Sequence, residues 1–350
     1  MSEKQSIWAK ADSFLTTTRK IIVNSLTALV LVIVTFSLLG GIGSMFSSSE
    51  EVDTKDKVLW FKPIGVVVDS EVNSSGNIDF NSIVLSGGAT VEQHELQDLL
   101  DVLNHAANDE NLAAVYVNVS ELGMYFSSAF KIAEALRFVR DNGKRVIAYA
   151  EQYNNNSYLI SSQANEVLIN EYGQVSAFGF SRKREYMKDL YKNLKLNYNV
   201  FTAGDFKSGP EPYTRDSMSE NDKLAWNEFA NPMWTKMTDM MEEARNLEKG
   251  TIQNYGDNAW ELSVDNPEMA EVALELGLVD MVVSREEIKA YMFKEFPNKD
   301  EDKYAFPDSV SIYDYLTKIR EDEIEKIGRA HVWTPVTSAH LVCRLLLEKK

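Results

Sequence analysis

The sequence predicts an α/β domain with a largely parallel sheet, preceded by one transmembrane helix. From residue 58 onward, apolar runs of strand length alternate with longer amphipathic stretches, the pattern of strands connected by covering helices. A long uncharged stretch, residues 21–46, lies ahead of this alternation. The hydrophobic content of 44% is sufficient for a packed core. We therefore expect one globular domain at residues 58–327, with helices covering the sheet.

Residues 21–46 predict the transmembrane helix. They carry no charge and, at about 1.5 Å per helical residue, are long enough to cross a bilayer core of roughly 30 Å. Four basic residues precede them: Lys4, Lys10, Arg19 and Lys20. A serine-rich, charged linker at residues 47–57 follows, so the positive-inside rule places residues 1–20 in the cytoplasm and the domain outside. A cleaved signal peptide is the alternative, but its apolar region would span only about 7 to 15 residues.

The elements of the domain are predicted in chain order from apolar periodicity and from residues that end helices. Strands are expected as a pair around Pro63 within residues 57–69, and at 112–120, 144–151, 166–170 and 198–203. Helices are expected within residues 91–109, 126–143 and 185–195. A longer helix is expected from the N-cap Ser219 to Gly250, with Pro232 at a position where helices kink.

The long helix carries an apolar stripe. Its members are Trp226, Phe229, Met233, Trp234, Met237, Met240 and Met241. Core packing is the first interpretation of this stripe. A groove for an apolar peptide, or a subunit interface, is the alternative, because methionine and tryptophan suit adaptable apolar recognition.

Composition argues against several classes of function. The formal net charge of −17 would repel the phosphates of nucleic acids and of anionic lipids. Cys343 is the only cysteine, so neither an intramolecular disulfide nor a thiolate metal cluster can form. Only four histidines are present. We therefore expect no metal site, no cofactor and no nucleic-acid partner.

The last segment, residues 328–350, differs from the rest of the chain. It breaks the alternation of strands and helices, turns basic, and contains Cys343 together with His331 and His340. It resembles the translation of sequencing-adapter DNA joined to a coding fragment. We therefore expect a non-native tail and assign none of these three residues to a site. A genuine basic tail is the alternative.

Lys207 lies in the segment GDFKSGPEPYTRDSMS, residues 204–219, whose glycines and prolines argue against a regular helix or strand. A lysine with an ordinary pKa of about 10.4 is protonated at neutral pH and cannot accept a proton. It becomes a general base only when desolvation or neighbouring dipoles lower that pKa to about 7 to 8. Local sequence therefore allows a base but favours a solvated surface lysine.

The segment FKSGPEPYTRDSMSEND, preceded by LKLNYNVFTAGD, resembles the lysine segment of the signal peptide peptidase A (protease IV) family, membrane-anchored serine proteases of the crotonase/Clp-like fold group. Other similar segments occur in the family's order: KVLWFKPIGVVVD, NLAAVYVNV, VRDNGKRVIAYAEQYNNNSYLISSQANEVLIN, NAWELSVDNPEMAEVALELGLVD and YAFPDSVSIYDYL. The resemblance covers nearly all of residues 20–327. It implies repeated strand-strand-helix units, a periplasmic domain on the bacterial inner membrane, and assembly into a homo-oligomer, a tetramer.

The resemblance also implies a Ser/Lys dyad. In such a dyad a serine hydroxyl attacks the peptide carbonyl, an unprotonated lysine accepts its proton, and backbone amides stabilise the oxyanion. Lys207 matches the family's base, but Asn155 occupies the position of the serine and cannot be a nucleophile. Asn156 and Ser157 stand where two glycines would be, and only Gly123 remains of a Pro-Gly-Gly turn. Ser157 is displaced from the matching position.

These departures resemble the N-terminal half of the long, duplicated family members, in which the second half supplies the serine. The function implied is a serine endopeptidase that degrades cleaved signal peptides and other apolar peptides, with this chain supplying the base and inactive alone. A non-catalytic scaffold, or a module that binds apolar peptides, is the alternative. For Asp205, Glu211 and Arg215 we expect a structural or solvated role rather than tuning of the base.

Overall fold

The computed structural model describes residues 52–70, 92–298 and 307–333, together with eight residues between positions 19 and 35. The chain divides into two units, Met1–Glu51 and Val52–Lys350. Within the described residues, no helix is both long and apolar enough to cross a membrane. Because the span at residues 21–46 lies mostly outside the described residues, the transmembrane helix stays a prediction. The tail beyond residue 333 also lies outside them.

The second unit contains short strands and helices in near-regular alternation. The strands are β1 (Val58–Phe61), β2 (Gly65–Val68), β3 (Gln93–Glu95), β4 (Ala114–Val117), β5 (Leu122–Gly123), β6 (Arg145–Ala150), β7 (Tyr153–Asn154), β8 (Glu166–Ile169), β9 (Val175–Ser176), β10 (Met281–Val282) and β11 (Ser309–Ser311). The helices are α1 (Leu96–Ala106), α2 (Phe126–Asp141), α3 (Asn155–Ser161), α4 (Lys188–Asn193), α5 (Glu211–Thr214), α6 (Glu220–Arg245), α7 (Thr251–Asp257), α8 (Ala259–Asp265), α9 (Met269–Glu275), α10 (Arg285–Glu295) and α11 (Ile312–Trp333). The predicted α/β class is confirmed.

Six strands form the main sheet, in the order β10-β8-β6-β4-β1-β11. Every neighbouring pair in it is parallel, as predicted. Two smaller parallel sheets lie beside it, with the orders β3-β2-β5 and β7-β9. The chain thus repeats a unit in which a strand of the main sheet is followed by a short strand of a small sheet and then a helix, as in β4-β5-α2 and β6-β7-α3.

The main sheet is buried on both faces, as parallel sheets generally are. Along β1, Leu59 and Phe61 face the larger core, whereas Val58 and Trp60 face a smaller core on the other side. The larger core is covered chiefly by α1, α2 and α3, and the smaller core by α10. The prediction of a sheet covered by helices is therefore confirmed.

Two element predictions are wrong. Residues 198–203, predicted as a strand, are irregular, and Phe201 is 95% exposed. Their β-branched and aromatic side chains favour a strand, but within the described residues no strand pairs with them. The long helix ends at Arg245 rather than at Gly250, because Asn246 adopts the left-handed conformation, with φ of 52°, that terminates it. Gly250 instead precedes α7.

The apolar stripe of α6 belongs largely to the core. Met237 and Met241 are fully buried, and Trp234 and Met240 pack against the larger core. Phe229, nearer the start of the helix, is 54% exposed. Core packing is therefore confirmed for the second half of the stripe, and the exposed part lies toward the helix start.

Candidate active site

The corner between β7 and α3 contains Asn155, which the sequence resemblance predicts to stand at the serine position. Asn154 caps α3: its side-chain oxygen accepts hydrogen bonds from the backbone N–H groups of Asn156 and Ser157, at 2.9 and 3.0 Å. In return, Ser157 Oγ accepts from the Asn154 N–H at 2.8 Å. This capping box satisfies N–H groups that the first helical turn cannot. Ser157 is 1% exposed, so its hydroxyl is a buried structural group with no access for a substrate.

Asn155 itself is used as a bridge. Its Nδ2 donates to the Gly179 carbonyl at 2.8 Å, and its Oδ1 accepts from the Phe178 N–H at 3.1 Å. The next residue, Asn156, donates from Nδ2 to the Met124 carbonyl at 3.0 Å. Both hydrogen-bonding ends of the Asn155 amide are therefore occupied by backbone. The corner is a tether between chain segments, with no nucleophile at position 155.

Lys207 lies on the loop between α4 and α5. Its side chain is exposed, and within the part of the chain that the structure describes it makes no hydrogen bond or ion pair. The backbone of the glycine-flanked loop is nevertheless held at two points. Asn221 Nδ2, on α6, donates to the Asp205 carbonyl at 3.0 Å, and Arg184 Nη1, which also contacts Asp222 of α6, donates to the Ser208 carbonyl at 3.2 Å. The amino group is thus free while its backbone is held.

Asp222, in the first turn of α6, is the charged centre of this attachment. It is 5% exposed, and its carboxylate accepts from Arg182 Nη1 at 3.1 Å and from Arg184 Nη1 at 3.3 Å. Burial raises the pKa of Asp222, but a hydrogen bond from Ser208 and the two guanidinium groups outweigh burial, so the pKa lies below its ordinary value. The sequence does not indicate this cluster, because Arg182 and Arg184 are far from Asp222 in the chain.

The neighbouring polar residues hold the loop, as expected. Glu211 accepts from the Ser219 N–H at 3.1 Å, which connects α5 to the start of α6. Arg215 donates from Nε to the Ser217 carbonyl at 3.1 Å. The contribution of Asp205 is its backbone carbonyl.

An apolar arm, defined here as residues 190–206, leads into the lysine loop. Six large hydrophobic side chains on it are exposed: Leu190, Leu194, Leu196, Tyr198, Phe201 and Phe206. Tyr198 stacks on Tyr213 with ring centroids 4.6 Å apart, which fixes the arm against α5. Soluble proteins seldom expose so many large apolar side chains in one short segment. The sequence did not indicate this surface, because part of the arm was predicted as a strand.

A groove lies between α2 and α6. It measures about 420 Å³. Phe126, Phe130 and Met233 are the main apolar residues lining it, and Lys236 lies over the Phe130 ring at 4.7 Å. At the end of the groove, Phe126 contacts Phe180, the residue after Gly179, with ring centroids 6.5 Å apart. The groove therefore starts close to the segment that Asn155 binds. Among the described residues, no group of acidic, histidine or cysteine side chains is arranged to hold a metal ion.

A family model described as peptidase family S49 matches residues 139–296, which include the Asn155 corner, the lysine loop and α6. Residues 139–296 are therefore similar to peptidase family S49. Among curated relatives, Protease 4 of Salmonella typhi is 27% identical over 298 residues, covering 82% of this chain and 47% of that protein. Protease 4 of Haemophilus influenzae is 27% identical over 228 residues, covering 63% and 36%. The resemblance to the signal peptide peptidase A family is confirmed, and the chain spans about half the length of these relatives or less.

The chain also aligns with solved structures at low similarity. A membrane-bound stomatin-specific protease aligns at 11% identity with a TM-score of 0.34, covering 73% of this chain and 97% of that one. An enoyl-CoA hydratase/isomerase from Marinobacter aquaeolei aligns at 12% identity with a TM-score of 0.26, covering 73% and 87%.

Proposed function

We propose that this chain supplies the general base, Lys207, of a serine endopeptidase of the Ser/Lys type, and that the nucleophilic serine lies outside this chain. The observation that carries the proposal is the bridging role of Asn155. Its amide is bound at both ends by the backbone of Phe178 and Gly179. These bonds support a structural role for the residue that the resemblance assigns to the serine position, and the sequence of the lysine loop resembles the family's.

The exposure of Lys207 supports the view that the chain is inactive alone. A lysine accepts a proton from serine only when it is unprotonated, which requires desolvation or neighbouring charges. Lys207 is exposed and has no partner among the described residues. The missing desolvation therefore comes from a covering surface, and the apolar arm beside Lys207 is suited to receive one.

The remaining parts of the proposal concern location, substrate and assembly. The parent protein is anchored in the bacterial inner membrane by residues 21–46, with a crotonase/Clp-like domain in the periplasm, and degrades cleaved signal peptides and other apolar peptides. The strand-strand-helix order supports this fold. The exposed arm supports a homo-oligomer, a tetramer, in which a serine-bearing module contacts the lysine loop.

Sequencing the gene downstream of codon 327 tests the source of the serine. A second module with a Ser-Gly-Gly segment is the expected result, and a native stop codon would contradict it. In the protein that carries both modules, Lys207→Ala should lower kcat/KM for an apolar peptide by about 10²- to 10⁴-fold. Lys249→Ala, an exposed lysine outside the arm that pairs with Asp239, is the control and should leave kcat/KM unchanged. Robust peptide cleavage by the present chain alone, abolished by Lys207→Ala, would refute the assignment of the serine to another module.

A second candidate function is a non-catalytic module that binds apolar peptides. The groove between α2 and α6 favours it, because its volume lies in the range of ligand sites and apolar side chains line it. In a binding titration with a fluorescent apolar peptide, Phe130→Ala should weaken binding, whereas Phe138→Ala, an exposed change elsewhere on α2, should not. Binding without cleavage in every assembled form of the protein would favour this candidate over the peptidase.

A further inference from the structure

We infer that Asn221 and Asp222 are positioning residues that clamp the backbone on both sides of Lys207; this inference rests on the proposed role of Lys207 as the base. Asn221 holds the carbonyl of Asp205, two residues before the lysine. Asp222, through Arg184, holds the carbonyl of Ser208, the residue directly after it. Both clamp residues belong to the first turn of α6.

The Asp222 side of the clamp is a charge-assisted network around a buried carboxylate. Arg184 Nη1 contacts both the Asp222 carboxylate, at 3.3 Å, and the Ser208 carbonyl, at 3.2 Å. Arg182 occupies the other carboxylate oxygen at 3.1 Å, and its guanidinium lies over the ring of Trp226 at 5.7 Å. Because Asp222 is 5% exposed, loss of its charge leaves two arginines without their buried partner. The orientation of Arg184, and with it the hold on Ser208, depends on Asp222.

The start of α6 is fixed in its turn. Ser219 Oγ accepts from the Asp222 N–H at 3.1 Å, and Glu211 accepts from the Ser219 N–H. The clamp is therefore built on a capped helix of 26 residues whose second half lies in the core. A site held by such an element is more accurately placed than one held by a free loop.

The loop needs this support because glycines flank the lysine. Gly204 has φ of 98°, and a side chain at Gly204 or Gly209 would meet no neighbouring atom. No neighbouring atom packs against the segment at either glycine, and glycine restricts the backbone less than any other residue. A general base must lie within about 2.6 to 3.2 Å of the proton it accepts, so a mobile backbone at Lys207 would lower the rate without removing the base.

The clamp is tested first on the full 350-residue chain by amide hydrogen exchange. Asp222→Asn should increase exchange in residues 204–209 roughly tenfold or more, and Asn221→Ala a few-fold, because charged hydrogen bonds contribute more than neutral ones. Glu220→Gln is the matched control: this exposed carboxylate lies in the same helical turn and contacts Lys223 instead of the loop. In this control, exchange in residues 204–209 should stay within about twofold of wild type. Unchanged exchange in both test variants overturns the clamp.

A spectroscopic readout separates positioning from general stability. Lysines dimethylated with ¹³C-formaldehyde give one methyl signal each, and Lys207→Arg assigns the signal of Lys207. Asp222→Asn and Asn221→Ala should shift or broaden that signal, while the signal of Lys249, which pairs with Asp239 on the other end of α6, stays unchanged. If Asp222→Asn does not fold, Asn221→Ala carries the test alone. Equal shifts at both lysines would show a general loss of structure and overturn the inference.

Kinetic measurements on the assembled peptidase distinguish a failure of the clamp from a failure of the proposed base. Asn221→Ala should lower kcat about three- to tenfold with KM unchanged, whereas Glu220→Gln should change neither. If Lys207→Ala abolishes activity but both clamp variants retain full kcat, the base stands and the clamp is refuted. If Lys207→Ala retains activity, the proposed function fails, while the exchange experiment still decides whether the loop is clamped.

Discussion

Replacing Asn155 with alanine tests whether this residue, which the resemblance assigns to the family's serine position, is structural. The Asn155 amide makes two hydrogen bonds, to the Gly179 carbonyl at 2.8 Å and from the Phe178 N–H at 3.1 Å. Each such bond contributes a net 0.5 to 1.5 kcal/mol or so. Phe178 is exposed and Gly179 is partly exposed, so water can replace the amide, and no full burial penalty applies. We therefore expect Asn155→Ala to lower the free energy of unfolding by about 1 to 3 kcal/mol.

The assay is urea unfolding followed by tryptophan fluorescence and far-UV circular dichroism. A change in midpoint at constant m-value reports stability alone. Asn142→Ala is the matched control, because it also removes an amide that donates to a carbonyl, that of Phe138 at 2.8 Å, but at an exposed helix end. The control should stay within about 0.5 kcal/mol of wild type. If Asn155→Ala has no larger effect than Asn142→Ala, the tether is not structural and the reasoning about this position is refuted.

Three further predictions concern the core, a turn and the charged cluster. Met237→Ala should lower the free energy of unfolding in urea by about 2 to 5 kcal/mol, because the side chain is fully buried. Phe229→Ala should lower it by about 0.5 kcal/mol or less, because this side chain is largely exposed. Equal losses would contradict the division of the stripe into a buried and an exposed part. Gly65→Ala should lower the melting temperature strongly, since φ is 129° and a Cβ would collide with the Glu92 carbonyl, and an unchanged melting temperature would contradict this geometry. Folding lowers the pKa of Asp222. The charged carboxylate therefore stabilises the folded state above the unfolded pKa of about 3.9, and this contribution is lost as pH falls through the folded pKa. The difference in unfolding free energy between wild type and Asp222→Asn should therefore shrink below about pH 4. A difference that grows below about pH 4 would contradict a pKa lowered by folding.

Much of the fold was predictable because burial leaves a periodic trace in the sequence. The strands of the main sheet other than β10 and β11 were expected, since a parallel strand buried on both faces is a continuous apolar run. The strands β3, β5, β7 and β9 have two or three residues each and leave no such trace. The predicted strand at residues 198–203 failed because β-propensity describes side chains and does not supply a partner strand.

The site was predictable only in part. Lys207 and Asn155 were singled out by resemblance to a family, and the local sequence alone favoured a solvated lysine. The cluster of Asp222 with Arg182 and Arg184 depends on side chains brought together by the fold. No local sequence pattern predicts such a contact, because charged residues at these spacings are common on solvated surfaces.

The pairing of β1 with β11 has a consequence for biosynthesis. Val58 lies beside Ser309 and Trp60 beside Ser311, so a strand from the start of the domain is completed by one made almost at its end. Until the ribosome has released β11, β1 has one open edge, and an open edge can pair with another chain. Closing so long a loop is also slow relative to forming local contacts. A nascent domain of this kind therefore spends most of its synthesis with one edge of its first strand unpaired, and chaperones would be needed most before β11 emerges.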